Sequence, residues 1–126
     1  MIAGLGIDLI EVERVAANMS RDAGFRELVF SKKEIEYCEA KTNKFEHYAA
    51  RFAAKEAFFK AAGTGWASGT AFNEVEITND DGGKPALTLL GATKHAMASR
   101  GGLVFSISLS HLKSIASAVV IIEKES

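Results

Sequence analysis

A chain of 126 residues, 48% hydrophobic and 25% charged, is long enough to bury its own core and shows no sign of extended disorder. Fifteen basic residues against sixteen acidic ones leave a net charge of −1, which excludes a strongly basic nucleic-acid binder. The single cysteine, Cys38, excludes an internal disulfide and every multi-cysteine zinc site, and it predicts a reducing, cytoplasmic setting.

Residues 2–10 (IAGLGIDLI) read as a buried strand. Ile2, Gly4, Gly6, Asp8 and Ile10 share one face, and Ala3, Leu5, Ile7 and Leu9 share the other. The apolar run at this end and the one at 115–122 are too short to span a bilayer, and the first lacks the basic lead of a signal peptide. Residues 12–40 are charged and helix-friendly and predict two or three short helices, one of them capped by Ser31 with Glu34 closing a capping box. The alanine-rich stretch 43–62 predicts the best helix of the chain, with Asn43 as a possible cap and Gly63 as its stop. A glycine-rich loop follows at 63–71, then a strand at 73–78, a turn at 79–84 and a strand at 86–90. A short helix over 90–100, ended by Gly101 and Gly102, leads to two strands, 103–109 and 115–122, joined around His111. The order predicts one α+β domain over 1–126, with an antiparallel sheet packed on the long helix rather than a doubly wound parallel sheet. Uncovered sheet edges on so small a domain point to oligomerisation.

Two carboxylates break their surroundings. Asp8 lies inside an apolar nonapeptide, where a charge is costly unless it is paired. On a helical wheel Glu56 falls beside the stripe of Tyr48, Phe52 and Phe59 rather than opposite it. Each has a plain explanation: a strand-end salt bridge for Asp8, and an i,i+4 pair with Lys60 for Glu56. Taken together they also suit a shared cation, and oxygen-only ligands favour Mg²⁺ or Mn²⁺ over zinc. Gly63-Thr64-Gly65 follows a helix instead of opening one, so it is neither a Walker A nor a dinucleotide fingerprint. It serves either as a helix stop or as an anion cradle near Lys60. Gly83-Lys84-Pro85 reads as a hairpin turn. Ser110-His111 lacks the context of a nucleophilic serine, and His47 and His95 read as surface or core histidines. Residues 14–33 hold five basic side chains against two acidic ones, either a solvated face or a surface that steers an acidic partner.

G-I-D-L-I-E-V-E-R (6–14) and R-F-A-A-K-E-A-F-F-K-A (51–61) resemble the two signature motifs of the 4′-phosphopantetheinyl transferases. The agreement with that family's short, single-domain members extends over the whole chain, through G-T-G (63–65), A-F-N-E-V-E (71–76), G-K-P (83–85) and S-A-V-V-I-I-E (117–123). The resemblance implies a Mg²⁺-dependent transfer of 4′-phosphopantetheine from coenzyme A to a serine of an apo-acyl carrier protein, with adenosine 3′,5′-bisphosphate as leaving group. It implies that Asp8 and Glu56 hold the metal and that Lys60 joins them in catalysis by facing the phosphates. Arg51, Gly63, Thr64 and Gly65 would line the coenzyme A site together with Lys84, Pro85, Ser110 and His111. His111 is followed by Leu112, where the family often has an acidic residue. Arg14, Arg21 and Arg26 would meet the acidic carrier protein, and the assembly would be a homotrimer with sites between subunits. No nucleic acid or membrane enters this reading. The serine proton would go to Asp8, to Glu56 or to a metal-bound water. Two alternatives without chemistry, a coenzyme A or nucleotide-binding module that senses through the same pocket and a carrier-protein docking module built on the basic helices, have no need for Asp8 and Glu56 together.

Overall fold

Glycines at positions 4 and 6 set the architecture. The computed structural model describes residues 1–63 and 69–125. Its first strand, β1 (Ile2–Glu11), runs beneath the long helix α4 (Lys44–Ala62), with three short helices between them: α1 (Val12–Arg21), α2 (Phe25–Val29) and α3 (Lys32–Glu39). A Cβ at Gly4 would collide with the carbonyl of Ala61, and one at Gly6 with the carbonyl of Ala57. Strand backbone therefore touches helix backbone. Two strand residues advance about 6.6 Å and four helical residues about 6 Å, so the two elements stay in step as they run in opposite directions. The small side chains of Ala53, Ala54, Ala57 and Ala61, all buried, permit this close approach.

After α4, which ends at Gly63 in the left-handed conformation (φ 75°), a 3-10 turn (Phe72–Glu74) leads into β2 (Val75–Asn79). The expected strand over 73–78 thus begins two residues later, because Phe72–Glu74 closes a tight turn, Glu74 N–H donating to the Ala71 carbonyl. Strand β3 (Pro85–Leu89), helix α5 (Gly91–Ala98), β4 (Leu103–His111) and β5 (Ile115–Lys124) complete the chain. One antiparallel sheet has the order β1-β5-β4, and β2-β3 form a separate hairpin. Asp8 pairs in register with Ala118, and Gly6 with Val120. The α+β arrangement of an antiparallel sheet on a long helix is the one expected.

The expectation of a wholly buried β1 is corrected. Its Gly4, Gly6, Asp8 and Ile10 face lies against α4, whereas Leu5, Ile7 and Leu9 remain 64%, 63% and 67% exposed. Only one face of a sheet can pack on one helix, and none of the described residues covers the other.

The capping box forms as predicted, and Glu34 does more than close it. Its carboxylate accepts from the N–H of Ser31 (2.8 Å), the N–H of Ile77 (2.8 Å) and the ammonium of Lys55 (2.8 Å). Lys55 is fully buried and donates as well to the carbonyls of Phe72 and Val75. Burial holds the Lys55 pKa below its ordinary value despite the nearby carboxylate. This pair fastens α3, α4 and β2 to one another.

Candidate functional site

The register of β1 on α4 carries Asp8 toward the middle of the helix. Lys60 Nζ donates to Asp8 Oδ1 (2.8 Å) and to the Ile7 carbonyl (3.0 Å). The i,i+4 partner suggested for Glu56 is therefore engaged across the elements instead. Glu56, one turn earlier, makes no hydrogen bond or ion pair with any described residue. Burial raises its carboxyl pKa, and the charge of Asp8 raises it further, with Lys60 and Arg14 opposing. Asp8, Glu56, Arg14, Asn18, Phe52 and Ile10 line a cleft of about 170 Å³.

Two neighbouring carboxylates that raise one another's cost, one of them without a partner, fit a hard divalent cation. Among the described residues no three His, Cys, Asp or Glu side chains cluster as a metal cage. A cation here would take oxygens from Asp8 and Glu56 and keep positions for water and for a substrate phosphate, which suits Mg²⁺. Cys38 is buried, its thiol pushed up to about 12 by desolvation, and takes no part.

A second cleft, of about 180 Å³, opens on another side of α4. Arg51 is its floor, only 2% exposed. One guanidinium nitrogen donates to Asn79 Oδ1, another to the His47 carbonyl (3.5 Å), and the plane lies 4.2 Å over the Tyr37 ring. Its Nε is buried with no hydrogen-bond partner among the described residues, an orphaned donor of the kind an anionic ligand satisfies. His111, the last residue of β4, stands with Nδ1 2.9 Å from Glu46 Oε1 and its ring 5.2 Å from that of His47. Burial lowers the His47 pKa, and His111 and Arg51 lower it further. Pro85 and Gly83 complete the rim. Arg51 and Glu56 are five residues apart, about 140° around the helix, so the two clefts lie on different sides of α4.

The structure thus joins Asp8, Glu56, Lys60 and Arg14 at one place and Arg51, Pro85 and His111 at another. Ser110 alternates away from the second cleft onto the exposed face of β4. Lys84 is exposed in the β2–β3 turn, its N–H held by Asp80 Oδ1 (2.9 Å). Gly63 caps α4, and Thr64 and Gly65 lie outside the described residues. Asn79, Tyr37 and Glu46 are additions that sequence reasoning missed, and His47 is neither plain surface nor plain core. The one available signal was Arg51 itself, an arginine set among buried alanines.

On α1, burial of Val12 and Val15 leaves Arg14, Asn18 and Arg21 on one outward face at i, i+4 and i+7. Arg21 bonds only Asn18 Oδ1 (3.0 Å) among the described residues. Arg26 is engaged internally, with Glu27 at 2.8 Å and Glu39 at 3.4 Å. Glu39 also accepts from the Tyr48 hydroxyl (2.6 Å) and from Lys44 (3.3 Å), and these bonds hold its pKa low, the Tyr48 bond foremost.

Residues 4–117 match the model of the 4′-phosphopantetheinyl transferase superfamily. The chain is 44% identical over 126 residues to a holo-[acyl-carrier-protein] synthase of Cytophaga hutchinsonii, covering 98% of this chain and 99% of that one. It superposes on the Neisseria meningitidis holo-[acyl-carrier-protein] synthase with a TM-score of 0.89 at 30% identity, covering 98% and 100% of the two chains. Against the Bacillus anthracis holo-(acyl-carrier-protein) synthase in complex with CoA (3′,5′-ADP), the TM-score is 0.82 at 34% identity, covering 99% of each.

Proposed function

The chain belongs to the 4′-phosphopantetheinyl transferase superfamily, and from that premise we propose that it moves 4′-phosphopantetheine from coenzyme A to a serine of an apo-acyl carrier protein, as one domain over residues 1–126. The observation that carries the reading is the meeting of Asp8 and Glu56 in a single cleft beside Lys60 and Arg14. The serine oxygen attacks the phosphorus next to the pantetheine arm, and the bond to the departing phosphate breaks to release adenosine 3′,5′-bisphosphate. Asp8 and Glu56 would hold Mg²⁺, or Mn²⁺, which would supply charge neutralisation at the pyrophosphate and the leaving oxygen. Lys60 adds its charge to the same phosphates. Glu56, which lines the same cleft and makes no hydrogen bond with any described residue, accepts the serine proton in this reading. Arg51 Nε and the His111 side of the second cleft receive the nucleotide end of coenzyme A, with Pro85 at the rim and Lys84 beside it in the chain. Incubation with apo-carrier and coenzyme A labelled in its pantetheine arm is expected to label the carrier, and a chelator to stop it. Coenzyme A binding without label transfer in the presence of Mg²⁺ would reduce the protein to a sensor.

The placement of the two clefts bears on assembly. One coenzyme A cannot reach both sides of α4 within one chain without wrapping around the helix. We therefore place the Asp8–Glu56 cleft of one chain against the Arg51–His111 cleft of a neighbour, in a homotrimer whose contacts include the exposed Leu5, Ile7 and Leu9. Sedimentation should give three times the chain mass at assay concentration, and a monomer with full activity would overturn this arrangement. The lone buried Cys38 suits a cytoplasmic setting, and no helix of the described residues is long and apolar enough to cross a membrane.

Carrier docking falls to the outward face of α1. Arg21→Glu is expected to raise KM for the carrier roughly tenfold, with a steep salt dependence, while KM for coenzyme A stays put. Arg14→Glu should damage kcat too, because Arg14 shares the cleft of Glu56. Arg26→Glu should have the smallest effect on docking, since its charge already serves Glu27 and Glu39. An equal loss toward both substrates in Arg21→Glu would remove α1 from the docking surface.

A further inference from the structure

Two carboxylates face one cleft, and the Lys60 ammonium bonds one of them and not the other. Lys60 Nζ lies on Asp8 Oδ1 at 2.8 Å and spends a second hydrogen on the Ile7 carbonyl at 3.0 Å. Glu56 receives nothing from any described residue. The Asp8 side chain is 15% exposed and the Lys60 side chain 54% exposed, so the acid is fixed while the base stands on a flexible four-carbon stem with one end in water. An ion pair exposed on one side is weak and easily exchanged. We propose that Lys60 is a resident stand-in for the divalent cation: it occupies Asp8 while the metal is absent, cedes that carboxylate when the metal arrives, and turns to the phosphates of coenzyme A. This rests on the reading of Asp8 and Glu56 as the metal ligands.

The stand-in role has a consequence for binding. Without coenzyme A, the Lys60 charge competes with the metal for Asp8. With coenzyme A present, that same charge is drawn to the pyrophosphate and the competition ends. Lys60 therefore couples the two binding events, and by linkage each ligand tightens the other.

The test measures metal binding rather than turnover. Mn²⁺ is titrated into the full chain without coenzyme A, and free Mn²⁺ is followed by electron paramagnetic resonance. Lys60→Met is expected to bind Mn²⁺ about fivefold tighter than the unaltered protein, the scale of an exposed charge pair removed. Lys60→Arg, which keeps the charge, is expected to bind as the unaltered protein does. Adding coenzyme A should tighten Mn²⁺ binding more in the unaltered protein than in Lys60→Met. Thermal unfolding of Lys60→Met should match the unaltered protein, because the side chain is half-exposed. Equal or weaker Mn²⁺ binding by Lys60→Met, alongside clear binding by the unaltered chain that Asp8→Asn abolishes, overturns the stand-in role alone. If Asp8→Asn and Glu56→Gln bind Mn²⁺ as well as the unaltered chain, or if nothing binds it, the metal site itself falls and the stand-in role with it.

Discussion

Asp8→Asn and Glu56→Gln are each expected to lower kcat/KM for phosphopantetheine transfer by a factor on the order of 10³, the loss of several kcal/mol of charge stabilisation at the leaving phosphate. Both substitutions keep the shape of the side chain and remove one anionic ligand, so the fold should survive them. The stability readout differs in sign from the activity readout. Burial and the charge of Asp8 raise the Glu56 pKa, so the folded state binds this proton more tightly than the unfolded chain does. Stability of the metal-free protein should then fall as pH rises through the range between the ordinary and the raised carboxyl pKa. Glu56→Gln removes that loss and should unfold at the same temperature as the unaltered protein, or higher, at neutral pH. Thermal scans in chelator alongside label-transfer kinetics check both halves. Activity within a few fold of normal at moderate Mg²⁺, in either variant, would remove that residue from the metal site.

The second large effect is on folding. Lys55→Met leaves the Glu34 carboxylate buried and without its only cationic partner among the described residues, and it withdraws a donor from the carbonyls of Phe72 and Val75. Breaking one side of a buried pair costs about 3–5 kcal/mol, a large share of the roughly 5–15 kcal/mol that holds a domain of this size. Urea unfolding should show the midpoint falling accordingly. Adding Glu34→Gln should recover part of the loss, because the stranded charge is gone while the amide oxygen still serves one of the two N–H groups, of Ser31 or of Ile77, that the carboxylate oxygens held separately. A single-variant cost below about 1 kcal/mol would mean that water reaches Glu34.

Local patterns in the sequence carried much of the fold. Strand 2–10, helix 43–62 and the Ser31–Glu34 box follow from a short apolar run, alanine content and capping chemistry, all of them short-range. Asp8 and Glu56 were conspicuous for a related reason, as charges at positions where the local pattern calls for apolar groups. What escaped detection depends on contacts between distant segments. Lys60 could reach Glu56 along its own helix, yet it bonds Asp8, 52 positions away, once the glycines let β1 close on α4. The cleft around Arg51 needs β4 to deliver His111 and β2 to deliver Asn79, and no periodicity encodes either meeting. Both faces of β1 are apolar apart from Asp8, and alternation does not say which one a helix covers and which one is left for a neighbour.

The contact of Gly4 and Gly6 with α4 also bears on how this protein can change over time. An ordinary core adjusts to substitution by repacking side chains, so positions drift together while the volume is conserved. At these two positions no side chain lies between strand and helix; the carbonyls of Ala57 and Ala61 meet bare backbone. Such a joint has no rotamers with which to absorb an added methyl group. Bulk at either glycine must lift β1 as a rigid bar, and Asp8 travels with it, away from Glu56. The spacing of the two carboxylates is therefore inherited from the main chain, and the positions least free to vary are two residues that have no side chain at all.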